Sequence, residues 1–237
     1  MTSSLRVNLP SEFFMPSDDW KRAYAGAHAG VLAMKDVVNP SQSQALEERK
    51  VELEQALRSR FAGMDRASLR ADQTLRAYEE HYRRFDKTYH VRLQLESIIF
   101  KDKPIPAGAA LVEAMFIAEV DSMLLTAGHD LDMIRAPLRL DVARGTETYV
   151  LLHGVQQTPK AGDMMISDRE GIISSIVYGP DERTQIRPET TRAVFTVYSP
   201  SGISPGSIEA HLERIKSNVQ LITRAARVQL LKVYSAA

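Results

Sequence analysis

The sequence predicts an α+β fold, and three observations predict it. Apolar residues recur at helical spacing through the first half of the chain. After Leu138 the texture changes to short runs of β-branched and aromatic residues between turn formers, and near the C-terminus helical spacing returns.

Taken in order, the Ala- and Gly-rich segment from Trp20 to Met34 reads as a closely packed helix. Pro40-Ser41-Gln42-Ser43-Gln44 offers a capping box, with the Ser41 hydroxyl and the Gln44 amide satisfying free N–H groups at the start of a helix that runs to about Phe61. Leu46, Leu53, Leu57 and Phe61 then share one stripe, while Glu47, Lys50, Glu54 and Arg58 face water as solvated pairs. Leu75, Tyr78, Tyr82 and Phe85 continue the period in a third segment, and a fourth helix spans Val91 to Phe100 before KDKPIPAG breaks it. TYVLLHGVQ, DMMISDREGIISSIVYG and RAVFTVYSP read as strands, with Asp168 to Gly171 a hairpin loop in which Gly171 takes a positive backbone angle. After SPSGISPG, Ser204 caps a last helix that Pro205 opens, and Ile208, Leu212, Ile215, Val219 and Ile222 supply its buried stripe.

With 237 residues, 44% hydrophobic and 25% charged, the chain can bury a sizeable core as one large domain or a compact domain with an appendage. No apolar run approaches the roughly 18 residues a membrane span needs. The start, MTSSLRVNLPSEFF, lacks the apolar centre of a secretory signal, so no membrane association and a cytoplasmic location are expected. The absence of Cys excludes a disulfide framework and thiolate chemistry. Thirty basic residues balance thirty acidic ones, so nucleic-acid binding would have to use a local patch.

The usual catalytic motifs are missing: there is no phosphate-binding Gly-rich loop, HExxH, Gly-x-Ser-x-Gly elbow or paired Cys motif. AGHDLDMI, residues 127 to 134, could offer His129 and Asp132 to a metal, with Glu113 or Asp121 as a third ligand. The stronger reading is a turn, with Gly128 ending one element, Asp130 capping a short helix and Leu131 and Ile134 plugging the core; neither metal nor cofactor is expected. HYRRFDKTYHVR, residues 81 to 92, mixes cations with rings as single-stranded RNA sites do, but Tyr78, Tyr82 and Phe85 fit a packing face better. The last 24 residues carry five basic residues and no acidic one; on a continuous helix Lys216, Arg224 and Arg227 share one side, for nucleic acid or simply to complement the helix dipole.

Three stretches, LRAYEEHYRRFDKTYHVRLQLESIIFKDKPIP, LVEAMFIAEVDSMLLTAGHDLDMI and PKAGDMMISDREGIISSIVYGPDERTQIRPETTRAVFTVYSP, in this order and spacing, resemble stand-alone homologues of the tRNA-binding and editing module of the bacterial phenylalanyl-tRNA synthetase beta subunit. The resemblance covers roughly residues 75 to 225. It implies a β-barrel-like, mostly antiparallel sheet decorated by helices, with a long C-terminal helix. A helical N-terminal extension over residues 1–70 would precede a tRNA-binding and editing-like domain over 71–237.

In that family a pocket over strands near Ile172 to Tyr178 and Ala193 to Tyr198 takes the aminoacylated 3′ end of a tRNA carrying tyrosine in error and hydrolyses the ester. An aminoacyl ester is already activated, so a positioned water, backbone donors and the ribose hydroxyl suffice. The resemblance places Tyr178, Arg183, Thr184 and Thr196 near the pocket, with Lys216, Arg224, Arg227, Arg83 and Arg84 on phosphates. Thr196 stands where the family reads the tyrosine hydroxyl with a carboxylate, and Tyr178 where it keeps a glycine that admits the ring, so tyrosine specificity does not carry over. Three functions follow: a deacylase acting in trans on mischarged tRNA, a non-catalytic RNA-binding module, and a small-molecule, amino-acid-like binding protein.

Overall fold

The computed structural model describes residues 9–236; the reading of the first eight residues as part of a non-secretory start lies outside them. In chain order the elements are β1 (Phe14–Pro16), α1 (Asp18–Ala23), β2 (His28–Lys35), α2 (Gln44–Arg60), α3 (Arg66–Arg70), α4 (Gln73–Arg83), α5 (His90–Lys101), α6 (Ala110–Ser122), β3 (Thr126–Asp130) and β4 (Leu138–Val142). They continue with β5 (Tyr149–Val150), β6 (Gln156–Gln157), β7 (Met164–Ser167), β8 (Ile172–Ser175), β9 (Gly179–Pro180), β10 (Arg192–Ser199), α7 (Pro205–Ile222) and β11 (Arg227–Ser235).

The α+β class holds, with antiparallel pairing dominant, but the strands do not close into a barrel. One sheet has the order β1-β4-β7-β8-β9, a second the order β11-β2-β10-β3, and β5 with β6 makes a short ribbon. Among the described residues only the β1–β4 pair is parallel. Buried residues from both sides of position 70 share one core, from Trp20 and Leu32 to Phe195 and Ile215.

Four expectations change. The Trp20–Met34 segment is not one helix: α1 stops after six residues, Gly26 turns the chain at φ +78, and β2 follows as an inner strand between β11 and β10. Six successive residues of β2 are buried, so it carries neither alternation nor an amphipathic stripe, and its small residues suited a helix as well as a crowded strand. Gly30 marks the crowding, since a Cβ there would lie 2.6 Å from Ile208 on α7. The helix after Pro40 begins two residues late for the capping box: Ser43 is its N-cap, without a side-chain bond, and Gln44 donates to Glu48 instead. Along α2, Lys50 is not solvated but 3% exposed, its Nζ 3.0 Å from Glu113 Oε1, and Glu54 accepts from the Ile105 amide. Charges on the polar side of α2 thus anchor the segment that leads into α6.

The last change concerns the tail. α7 begins with the Ser204 cap and Pro205 as expected but ends at Ile222, and residues 227–235 leave as β11, paired with β2 over eight registered residues. Ala226, Leu230 and Val233 continue the helical spacing, so periodicity alone misleads here; the open edge of β2 supplies a backbone ladder that outweighs it. Arg227 is therefore on a strand and Arg224 in the turn before it, not on one helix face with Lys216.

Candidate functional site

A cavity of about 680 Å³ opens between the helices α5 and α6 and the strands β3, β8 and β9. Three local features shape it. Met123 takes a left-handed conformation that ends α6 and turns the chain into β3, which brings the Thr126 amide within 2.6 Å of Glu119 Oε1. Gly128, on β3, leaves room: a Cβ there would meet Ile186 at 3.0 Å and Met115 at 3.1 Å. The third is the 175–180 turn, in which the Tyr178 amide donates to Ser175 Oγ and Gly179 takes a φ of +92. The Tyr82 hydroxyl pins this turn at Ile176 O (2.6 Å) and the Tyr149 hydroxyl at Gly179 O (2.9 Å).

The walls are largely apolar, with Val112, Met115, Phe116, Leu125 and Ile186, and a few polar groups converge on them. Glu119 is 4% exposed, and burial pushes its carboxyl up to about 8 against the opposing hydrogen bond from the Thr126 amide. Gln94 Oε1 is buried without a hydrogen-bond partner. His90 and Ser175 also line the cavity, and burial lowers the His90 imidazole below its usual range. Behind the wall, His211 bridges Ser122 Oγ (2.7 Å) and Thr126 Oγ1 (2.6 Å); burial, reinforced by Arg214, pushes it down to about 3, so it is neutral in the folded chain.

Of the residues expected at the pocket, Tyr178 lines it, and its ring faces Lys87 Nζ at 5.6 Å. Thr196 sits in mid-strand on β10, fully buried, and reaches only Ala127 O at 3.5 Å. Thr184 is sealed between Asp181, to which its hydroxyl donates, and His129 Nδ1 at 2.7 Å. Arg183 lines a separate cleft and ties Asp168 (2.9 Å), Glu170 (3.2 Å) and the Met133 carbonyl (3.1 Å) together. Arg183 and Thr184 hold the loop after β9, Thr196 ties β10 to β3, and none of the three lines the cavity.

AGHDLDMI resolves as structure. Residues 126–130 form β3, so Gly128 lies inside a strand, and Asp130 accepts from the Asp132 amide to cap a single helical turn over Leu131–Met133. Among the described residues no group of three or more His, Asp or Glu could hold a metal. The ring stripe of α4 is a packing face: Tyr78, Tyr82 and Phe85 are buried, and Tyr78 stacks on Tyr89 with centroids 4.4 Å apart. Arg83, Arg84 and Lys87, from the same stretch, are exposed and form no ion pair among the described residues. Arg224 and Arg227 are likewise exposed and without an ion pair, whereas Lys216 pairs with Glu213. Sequence reasoning missed Glu119, Gln94, Ser175 and Lys87 as site residues. Their clue, polar side chains inside otherwise apolar or aromatic runs, looks the same as an ordinary helix or strand pattern until the tertiary fold brings them together.

No helix among the described residues is long and apolar enough to cross a membrane. No curated protein matches the chain. Among solved structures, an N-terminal fragment of the phenylalanyl-tRNA synthetase beta subunit from Pyrococcus horikoshii is similar in fold, with a TM-score of 0.50 and 10% identity over 96% of this chain. The chain spans about half of that one, 55% of its length. A family profile described as the B3/4 domain matches residues 77–228, from α4 to the start of β11 and including every wall of the cavity. That match takes in well over half of the sequence, and the chain belongs to the B3/4 domain family.

Proposed function

We propose that this chain is a cytoplasmic tRNA-binding protein whose cavity receives the aminoacylated 3′ end and hydrolyses mischarged aminoacyl-tRNA in trans. The observation that carries the reading is the cavity itself: it is open, apolar enough for an amino-acid side chain, and bordered by unpaired cations. Lys87 lies over Tyr178 at its rim, and Arg83 and Lys87 line an adjoining cleft. A terminal phosphate held there would aim the ester into the cavity. Arg84, Arg224, Arg227 and Lys216 extend the contact along the phosphate backbone. Tyr178 narrows the mouth and selects by size, while Arg183, Thr184 and Thr196 act indirectly, by fixing the strands and loop around the cavity.

The test is amino-acid release from a panel of mischarged tRNAs by the purified protein. One species is expected to be deacylated, with Lys87→Ala raising the concentration of tRNA needed by about tenfold, the value of one good phosphate contact of roughly 1.4 kcal/mol. Stability of every species at saturating protein, with binding intact, would leave a binding module without hydrolysis. Absence of binding at low salt would leave the small-molecule reading.

A further inference from the structure

The hydrolytic reading of the cavity leaves open which group manages the proton of the attacking water. We propose that Ser175 and Asp163 form a proton relay in the cavity wall, Ser175 accepting the water's proton while its own passes to Asp163.

Ser175 ends β8 and lines the cavity; its Oγ lies 2.6 Å from Asp163 Oδ2 and accepts the Tyr178 amide at 3.0 Å. The amide fixes the serine rotamer so that the hydroxyl hydrogen points at the carboxylate. Asp163 is wholly buried just before β7, and its Oδ1 has no hydrogen-bond partner. An oxygen left without a donor at that depth is uncommon for a carboxylate that serves only as a strut. The groups around it are the hydroxyls of Tyr24, Tyr82, Tyr149 and Tyr198, all kept protonated by burial, and no cation pairs with it among the described residues. Burial pushes the Asp163 carboxyl up to about 7, against hydrogen bonding from Ser175 and from the Met164 and Val177 backbone amides, which places it where a base exchanges protons at neutral pH.

The step is balanced within the site. The water oxygen bonds to the ester carbonyl carbon, its proton moves to Ser175 Oγ, and the serine proton moves to Asp163 Oδ2. As the bond from carbon to the ribose oxygen breaks, the proton returns from Asp163 through Ser175 to that oxygen. One water is consumed, a free amino acid and a ribose hydroxyl are formed, and nothing is oxidised or reduced.

The test compares wild type, Ser175→Ala, Ser175→Thr and Asp163→Asn on the mischarged tRNA and on an aminoacyl ethyl ester, from pH 5.5 to about 9, with tRNA binding and circular dichroism as folding controls. Expected are a wild-type rate that rises through about pH 7, a loss of about 100-fold in Ser175→Ala and in Asp163→Asn, a flat profile in Asp163→Asn, and substantial recovery in Ser175→Thr. Unchanged deacylation and an unchanged profile in Ser175→Ala and Asp163→Asn would overturn the relay and leave the hydrolytic function standing. Cleavage of the small ester that depends on Ser175, without cleavage of any mischarged tRNA, would uphold the relay and sink the tRNA reading. A wild-type protein inert on both substrates, or one without an inflection near neutral pH, overturns the relay even if the variants fail to fold.

Discussion

Glu119 is a residue at which the cavity costs the fold stability. Its carboxyl is buried among apolar side chains and accepts one backbone amide at 2.6 Å. Burial holds it protonated up to about 8, whereas the ordinary value is 4.5. For a carboxyl whose folded value is raised, the folded chain binds the proton more tightly than the unfolded chain. Stability is therefore fully present below about 4.5, falls as pH rises and reaches its floor above about 8. Asp163 adds a fall of the same sign between 3.8 and about 7. Glu119→Gln keeps the acceptor for Thr126 and removes the ionisation. We expect it to match wild type near pH 5 and to gain on it by up to about 1.4 kcal/mol per pH unit towards pH 8 in urea unfolding. A constant difference between the two proteins across that range would show that Glu119 is not desolvated in the folded chain.

At the scale of elements, Arg183 shows how a residue expected to touch substrate instead locks two loops together. The Asp168 carboxylate is 0% exposed at the tip of the β7–β8 hairpin; it accepts the Glu170, Gly171 and Arg135 amides and the Arg183 guanidinium. Arg183→Ala leaves that carboxylate without its cation and is expected to cost about 3 kcal/mol in chemical unfolding. At saturating tRNA, and at a temperature where the variant stays folded, the rate of deacylation should hold; a deep loss there with little loss of stability would put Arg183 back at the chemistry. The elements themselves were largely readable. Helices α4 and α7 follow their apolar stripes, α7 starts at its Ser204 cap, α5 ends where KDKPIPAG breaks it, and the Asp168–Gly171 hairpin follows its turn residues, with Gly171 at φ +143. What could not be read was decided by pairing at long range. β2 lacks a pattern because both its faces are buried, β11 keeps a helical period yet pairs with β2, and Lys50 is drawn inward by Glu113, 63 residues away. The cavity shares this origin: Glu119 with Thr126, and Ser175 with Tyr178, belong to two separate stretches, and only the junction of the helices with the sheets joins them.

For the molecule as a whole, charge sets the terms on which RNA can bind. Thirty cations balance thirty anions, and many of them neutralise one another across the surface, as in the Arg49, Arg214 and Asp121 cluster. Steering by overall field is therefore weak, and affinity for tRNA is expected to come from exposed cations without an ion pair, chief among them Arg83, Arg84 and Lys87 at the end of α4 and just after it, and Arg224 and Arg227 in the turn before β11 and at its start. Each phosphate neutralised releases condensed counterions and adds roughly 0.7 to 0.9 to the slope of log affinity against log salt. With these five contacts, Lys216 being already paired with Glu213, the slope for tRNA should lie between about −3.5 and −4.5. Arg83→Ala and Lys87→Ala should each flatten it by about one unit and, because they border the cavity, weaken deacylation as well as binding. Arg224→Ala combined with Arg227→Ala should flatten the slope by about two units while the rate at saturating tRNA stays unchanged. A slope near zero in wild type would mean that the cations serve solubility alone, and the cavity would then belong to a ligand that carries no phosphate.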